Sequence, residues 1–187
     1  MPSASLTGWM NDRTRRLSAI EAQCAAYQAA ATAEPMLIEE NTRGLILLLS
    51  AHFQGFCRDL HTESAQSIAS EVRPSLEALV QEQFTALRAL DRGNPNIDNI
   101  KKDFTRFGFS LNMAGWDPAN GARLADLKLL NQWRNIVAHH GEVLPSGLPP
   151  LSEIQGWRHS CNGLATSLDG IMYNQSRLIL GRPPWDP

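Results

Sequence analysis

The densest group of chemically capable side chains in this 187-residue chain is the stretch Trp133-Arg134-Asn135-Ile136-Val137-Ala138-His139-His140-Gly141. It gathers an arginine, an amide and two imidazoles within about two helical turns. Imidazole, with an ordinary pKa of about 6.5, takes or gives a proton near neutral pH. A guanidinium is a permanent cation with a planar set of donors, suited to the oxygens of a crowded, negatively charged centre. Asn135 precedes His139 by four residues and so shares its helical face, where an amide can hold the ring in one orientation. The chemistry open to such a set is proton transfer beside stabilised negative charge. A structural origin is open as well: histidines suit a last helical turn through the helix dipole, and an arginine beside a tryptophan can simply stack on it. His140 falls near the Trp133/Val137 face, where it would be a packed core histidine.

Other familiar sites are missing. The chain has no phosphate-cradling glycine loop with its lysine, no dinucleotide fingerprint, no zinc-protease histidine pair and no nucleophile elbow. Glu39 and Glu40 are adjacent and diverge by ~100° on a helix, which makes them surface rather than a metal site. Cys24, Cys57 and Cys161 are far apart, with no zinc or redox spacing, so neither metal nor cofactor is expected. A net charge of −2 gives no global attraction for nucleic acid; RNA contact would have to be local. Arg13, Arg15 and Arg16, and Lys101, Lys102 and Arg106, are the clusters available, and each reads most simply as solvated surface. Hydrophobic residues at 43% and charged residues at 19% are ordinary for a globular chain. No apolar stretch reaches the ~20 residues of a membrane span, and MPSASLTGWMNDRTRR lacks the apolar core of a secretion signal. Together with free thiols this predicts a cytoplasmic protein that does not meet a membrane.

The elements that must position the cluster read as helices throughout. Leu17, Ile20, Cys24 and Tyr27 share one face of an N-terminal helix over about residues 11–32. Leu45 to Leu49, continuing through Phe53, Phe56 and Leu60, is apolar nearly all round at its start, as for a helix in mid-bundle or at a subunit interface. Pro74 is placed to open a helix with the core stripe Leu76, Leu79, Val80, Phe84 and Leu87, ending before Gly93. Residues 94–121 are looser, with a short helix from about Ile100 to Phe107; Phe104, Phe107 and Phe109 could stack on bases, but read more simply as cover for the core. His52, His61 and His159 read as structural, with His52 able to line a cleft if its helix does. Leu124, Leu127, Leu130, Trp133 and Val137 mark the helix that carries the polar cluster, with Gly141 as its stop. Ser152 and Gln155 have capping-box spacing ahead of a last helix striped by Ile154, Trp157, Cys161, Leu164, Leu168 and Ile171. The expectation is one all-α domain of about five helices, with its core over about residues 41–180.

Arg134-Asn135-x-x-x-His139 resembles the R-N-x-x-x-H signature of the HEPN superfamily. Chance yields roughly 0.02 such matches in a chain of this composition. The match also lies near the end of the penultimate helix, as in that family. Leu47 to Leu60 resembles a helix of the RiboL-PSP branch, although Gln54 stands where relatives often have an acidic residue. Gly141 stands where one toxin branch has a tyrosine that is nucleotidylated, so that form of control is not implied. The resemblance implies a HEPN-type bundle and metal-independent cleavage of RNA. Arg134 would stabilise the phosphate, His139 would act as general base or acid, and Asn135 and His140 would support them. It further implies an RNA substrate, a homodimer, and, by analogy with small toxins and antiphage effectors, an antitoxin or defence-system partner. On a regular helix Arg134 and His139 point roughly 140° apart. Either the helix end unwinds or two protomers pool their motifs in a shared cleft, and the two-fold arrangement is the reading taken here. HEPN domains also occur as non-catalytic nucleotide- or protein-binding scaffolds, which leaves that alternative standing.

Overall fold

The computed structural model describes residues 2–30, 32, 34–139 and 147–185, and among these every regular element is helical. The chain is all-α, with longer helices around one hydrophobic core and short ones in the connections.

The first helical run starts earlier than its apolar spacing suggests. Ser3 caps α1 (Ala4–Gly8) by accepting from Leu6 N–H at 2.9 Å. A π-turn over Trp9–Arg13 then leads without a break into α2 (Thr14–Ala29). The Thr14 hydroxyl donates to the carbonyl of Trp9 at 2.8 Å, the kind of side-chain intrusion that widens a turn. The wide turn seats Trp9, fully buried, against Phe53 and Phe56, with its indole N–H on Asn162 Oδ1 at 3.0 Å. Leu17 and Cys24 follow it into the core.

Helix α3 (Pro35–Ala69) opens on a proline whose missing N–H costs nothing at N1. It is the central helix: Leu45, Ile46, Leu49, Phe53, Phe56 and Leu60 are all at most 1% exposed. Leu47 and Leu48 nevertheless face outward, at 36% and 39% exposure, so the helix serves the core along one side and leaves an apolar edge on the other.

The stripe expected for the next helix is not a core stripe. Helix α4 (Pro74–Thr85) buries no residue; Leu76 and Leu79 are exposed, and so is Leu87 beyond its end. Only Phe84 turns inward, stacked on Phe107 at 4.9 Å. The helix stops at Thr85, earlier than expected, because Arg106 takes its last carbonyls, donating to Phe84 and Ala86 (3.0 and 2.5 Å) and to Leu87 (3.0 Å). Leu87 itself has φ 54, an unusual conformation for a leucine, held by that contact.

A short helix α5 (Ala89–Arg92) and α6 (Ile97–Phe104) follow, then a 3₁₀ turn over Thr105–Phe107. The buried carboxylate of Asp103 accepts from Ala89 and Leu90 N–H, both at 2.8 Å, and so caps the start of α5. Phe104 and Phe107 pack around the ring of His61, fully buried, whose Nε2 bonds the Asp103 carbonyl at 3.1 Å. These phenylalanines cover the core, as does Phe109 beside them.

After α7 (Met113–Trp116), helix α8 (Asn120–His139) packs along α9 (Leu151–Leu180), and both pack on α3. The whole α9 stripe, Ile154 to Ile171, is buried as expected. Its capping box is not formed. Pro150 is the cap residue, so Ser152 sits inside the first turn and makes no capping bond. A proline with its φ locked and its ψ extended starts the helix one step before the serine.

Candidate functional site

Arg134, Asn135 and His139 occupy the last two turns of α8. Trp133 and Val137, on the opposite face, rest against the core and orient this end of the helix. Asn135 is exposed and Arg134 half-buried; His139 is exposed at the final helical position. His140 and Gly141 lie outside the described residues, so neither the supporting histidine nor the expected glycine stop is placed.

The motif is held through its asparagine, but toward the arginine rather than the histidine. Asn135 Oδ1 accepts from Arg134 Nη1 at 3.2 Å and from Asn94 Nδ2 at 2.6 Å. The expected bond from Asn135 to the His139 ring is therefore replaced: the amide oxygen has two other donors. The His139 ring has no hydrogen bond among the described residues. Nor does Arg134 form an ion pair with any carboxylate among the described residues.

Asn94 is positioned from the interior. Its carbonyl accepts from Asn99 Nδ2 at 2.8 Å. The preceding Gly93 carbonyl, with that of Leu90, accepts from Gln54 Nε2 at 2.9 and 2.5 Å. A path of direct bonds and short chain steps thus runs from α3 through Gln54, Gly93, Asn94 and Asn135 to the Arg134 guanidinium. Gln54 is suited to that place because an amide donates to carbonyls and a carboxylate does not. Sequence reasoning singled out Gln54 only as a departure and placed Asn94 merely at the start of a looser region. The available signal was the density of asparagines from 94 to 99.

The remaining candidates separate cleanly. His52 lies beside Arg13 and Arg16; partial burial first, then those two charges, lower its pKa. His61 belongs to the core, where burial brings its pKa down to about 4. His159 is exposed on α9, in a surface groove with Glu21 and Arg158. Cys24, Cys57 and Cys161 are free and buried, and burial pushes all three thiols up. Of the basic clusters, Arg13 pairs with Asp59 and Arg106 caps α4. No group of three or more histidine, cysteine, aspartate or glutamate side chains is arranged to hold a metal among the described residues, and no helix of theirs is long and apolar enough to cross a membrane.

What the arrangement can do follows from this. A guanidinium steadied by a neutral amide, and an accessible imidazole one helical turn and a half further on, can bind an anionic oxygen and exchange a proton with solvent or ligand. No protein-family model matches the chain, and neither the curated proteins nor the solved structures contain a match to it.

Proposed function

We propose that this chain is a HEPN-type, metal-independent endoribonuclease, acting as a homodimer in the cytoplasm. The observation that carries the reading is the placement of Arg134, bonded to Asn135 with Asn94 behind it and in no ion pair among the described residues, on the same helix end as an exposed His139. In the reaction the ribose 2′-oxygen loses its proton to one imidazole and attacks the adjacent phosphorus. The bond from phosphorus to the 5′-oxygen breaks, and that oxygen takes a proton from a second imidazole. The products are a 2′,3′-cyclic phosphate and a 5′-hydroxyl, with no net redox change. Arg134 meets the negative charge on the phosphoryl oxygens as the attack proceeds. Two histidines are required, and a two-fold pair of α8 ends supplies them as base and acid. The exposed Leu47 and Leu48 edge of α3 supports the dimer by offering apolar surface. A growth-arresting toxin or antiphage effector, restrained by an antitoxin or defence-system partner, is the biological setting proposed.

The test is cleavage of a mixed RNA pool in EDTA by the wild type, Arg134→Ala and His139→Ala. We expect cyclic-phosphate ends from the wild type alone, with each variant slower by at least about 100-fold. Inert wild-type protein that is folded and dimeric would remove this reading.

A second reading, a non-catalytic binding module, is favoured by α4. Its leucines face outward over a whole helix, and Gln54 spends its side chain on backbone rather than on chemistry. An inert but partner-binding protein whose partner is lost on Leu79→Lys would establish it.

A further inference from the structure

Beside the motif, between the start of α6 and the middle of α8, lies a groove of about 420 Å³, within the ~300–1,000 Å³ usual for small-ligand sites. Its polar lining is dominated by amides: Asn94, Asn96, Asn131, Gln132 and Asn135. Ile97, Leu124 and Leu127 supply apolar wall. Lys128 and Asp98 add opposite charges to its lining, so the groove favours neither anions nor cations. Flat apolar walls with neutral groups that both donate and accept suit an uncharged heterocycle.

Asn131 sharpens this. It is 6% exposed, and its Nδ2 donates to the Leu127 carbonyl at 2.9 Å and toward the Pro95 carbonyl at 3.4 Å. Those two acceptors define which end of the amide is nitrogen, since a flipped side chain would set oxygen against oxygen. Oδ1 is then a buried acceptor, and it has no partner among the described residues. A buried polar atom left unsatisfied costs about 1–3 kcal/mol, which a ligand donor would recover.

We infer that this groove is a nucleobase subsite that prefers bases bearing an exocyclic amino group over uracil. An amino group projects from the ring and can reach a recessed acceptor. The N3–H of uracil is flanked by two carbonyl oxygens, which would be repelled by Asn131 Oδ1 as the N3–H approached it. Asn135 lines the groove and also holds Arg134, so a base seated here stands next to the guanidinium that would meet its phosphate. The placement of the base within an RNA strand rests on the ribonuclease reading; the base pocket itself does not.

The test is calorimetric titration of the full chain with adenosine, cytidine, guanosine and uridine, and with a short single-stranded RNA protected by 2′-O-methylation. Wild type, Gln132→Ala and Asn131→Leu are compared, each checked for its helical content. We expect at least one amino-bearing nucleoside to bind about tenfold or more tightly than uridine, and each variant to lose about tenfold in that affinity. Tighter binding of the strand than of its nucleoside makes RNA the source of the base; equal affinity makes it a free nucleotide. The inference is overturned if no nucleoside binds, if uridine binds as well as the rest, or if both variants bind like wild type. Should Asn131→Leu fail to fold, Gln132→Ala and the uridine comparison decide. RNA cleavage in EDTA without base binding would sink this inference alone, and base binding without cleavage would sink the ribonuclease alone.

Discussion

Along α9 the apolar residues from Ile154 to Ile171 are buried at every step, whereas α4, with leucines at comparable spacing, buries none. Both helices are written with the same period. They differ in what lies opposite: α9 runs between α8 and α3 and is covered on two sides, while α4 lies beside α3 and reaches the core only through Phe84 on Phe107. The period of a stripe sets which side chains share a face, and a facing element decides whether that face leaves water. In α4 the C-terminus is nevertheless tightly bound, by the Arg106 guanidinium. The helix is therefore anchored by hydrogen bonds at one end and uncovered along its length.

Substitutions that separate the two helices should act in a definite order. Trp157→Ala, in the buried α9 stripe, is expected to cost about 3–5 kcal/mol in urea unfolding, because it leaves a large cavity in the core. The junction between the two regions should respond to acid. His61 is neutral in the fold down to about pH 4, but an unfolded chain protonates it near its ordinary 6.5. Its contribution is thus fully present above about pH 6.5 and is lost as the pH falls toward 4, by up to about 3 kcal/mol. His61→Leu should flatten that part of the stability-against-pH curve; an unchanged slope would mean that other groups carry it. Next in size is Arg106→Ala, expected to cost about 1–3 kcal/mol by uncapping three carbonyls, with hydrogen exchange rising first in the last turn of α4. Gln54→Glu places a carboxylate against two carbonyls. It should cost about 1–2 kcal/mol and loosen the Asn94 segment, read as a rise in exchange at Gly93 and Asn94. Smallest should be Leu79→Lys on the uncovered face of α4, within about 0.5 kcal/mol of wild type. A large loss there would mean that α4 is covered in solution, and the contrast with α9 would then reduce to a missing partner.

The helices themselves were legible because apolar periodicity is a local property. The α9 stripe, the central run of α3, the short helix before Phe107 and the helix bearing the motif all lie where the residues place them. The boundaries were less so: Trp9 entered the core through a π-turn that no period announces, and Pro150 displaced the capping role of Ser152.

The motif shows the same division. Residue types alone nominate Arg134, Asn135 and His139, since imidazole and guanidinium carry their proton and charge behaviour wherever they stand. What Asn135 does with its one amide oxygen was decided by Asn94, a residue 41 positions away held in place by Gln54. Likewise the acceptor left open on Asn131 exists only because two backbone carbonyls from different segments claim its nitrogen. Helix, stripe and chemical capacity depend on neighbours within a few residues and are written in the sequence. Which face is covered, which hydrogen bond wins and which polar atom is left unpaired depend on competition between distant groups, and only the packed structure resolves that competition.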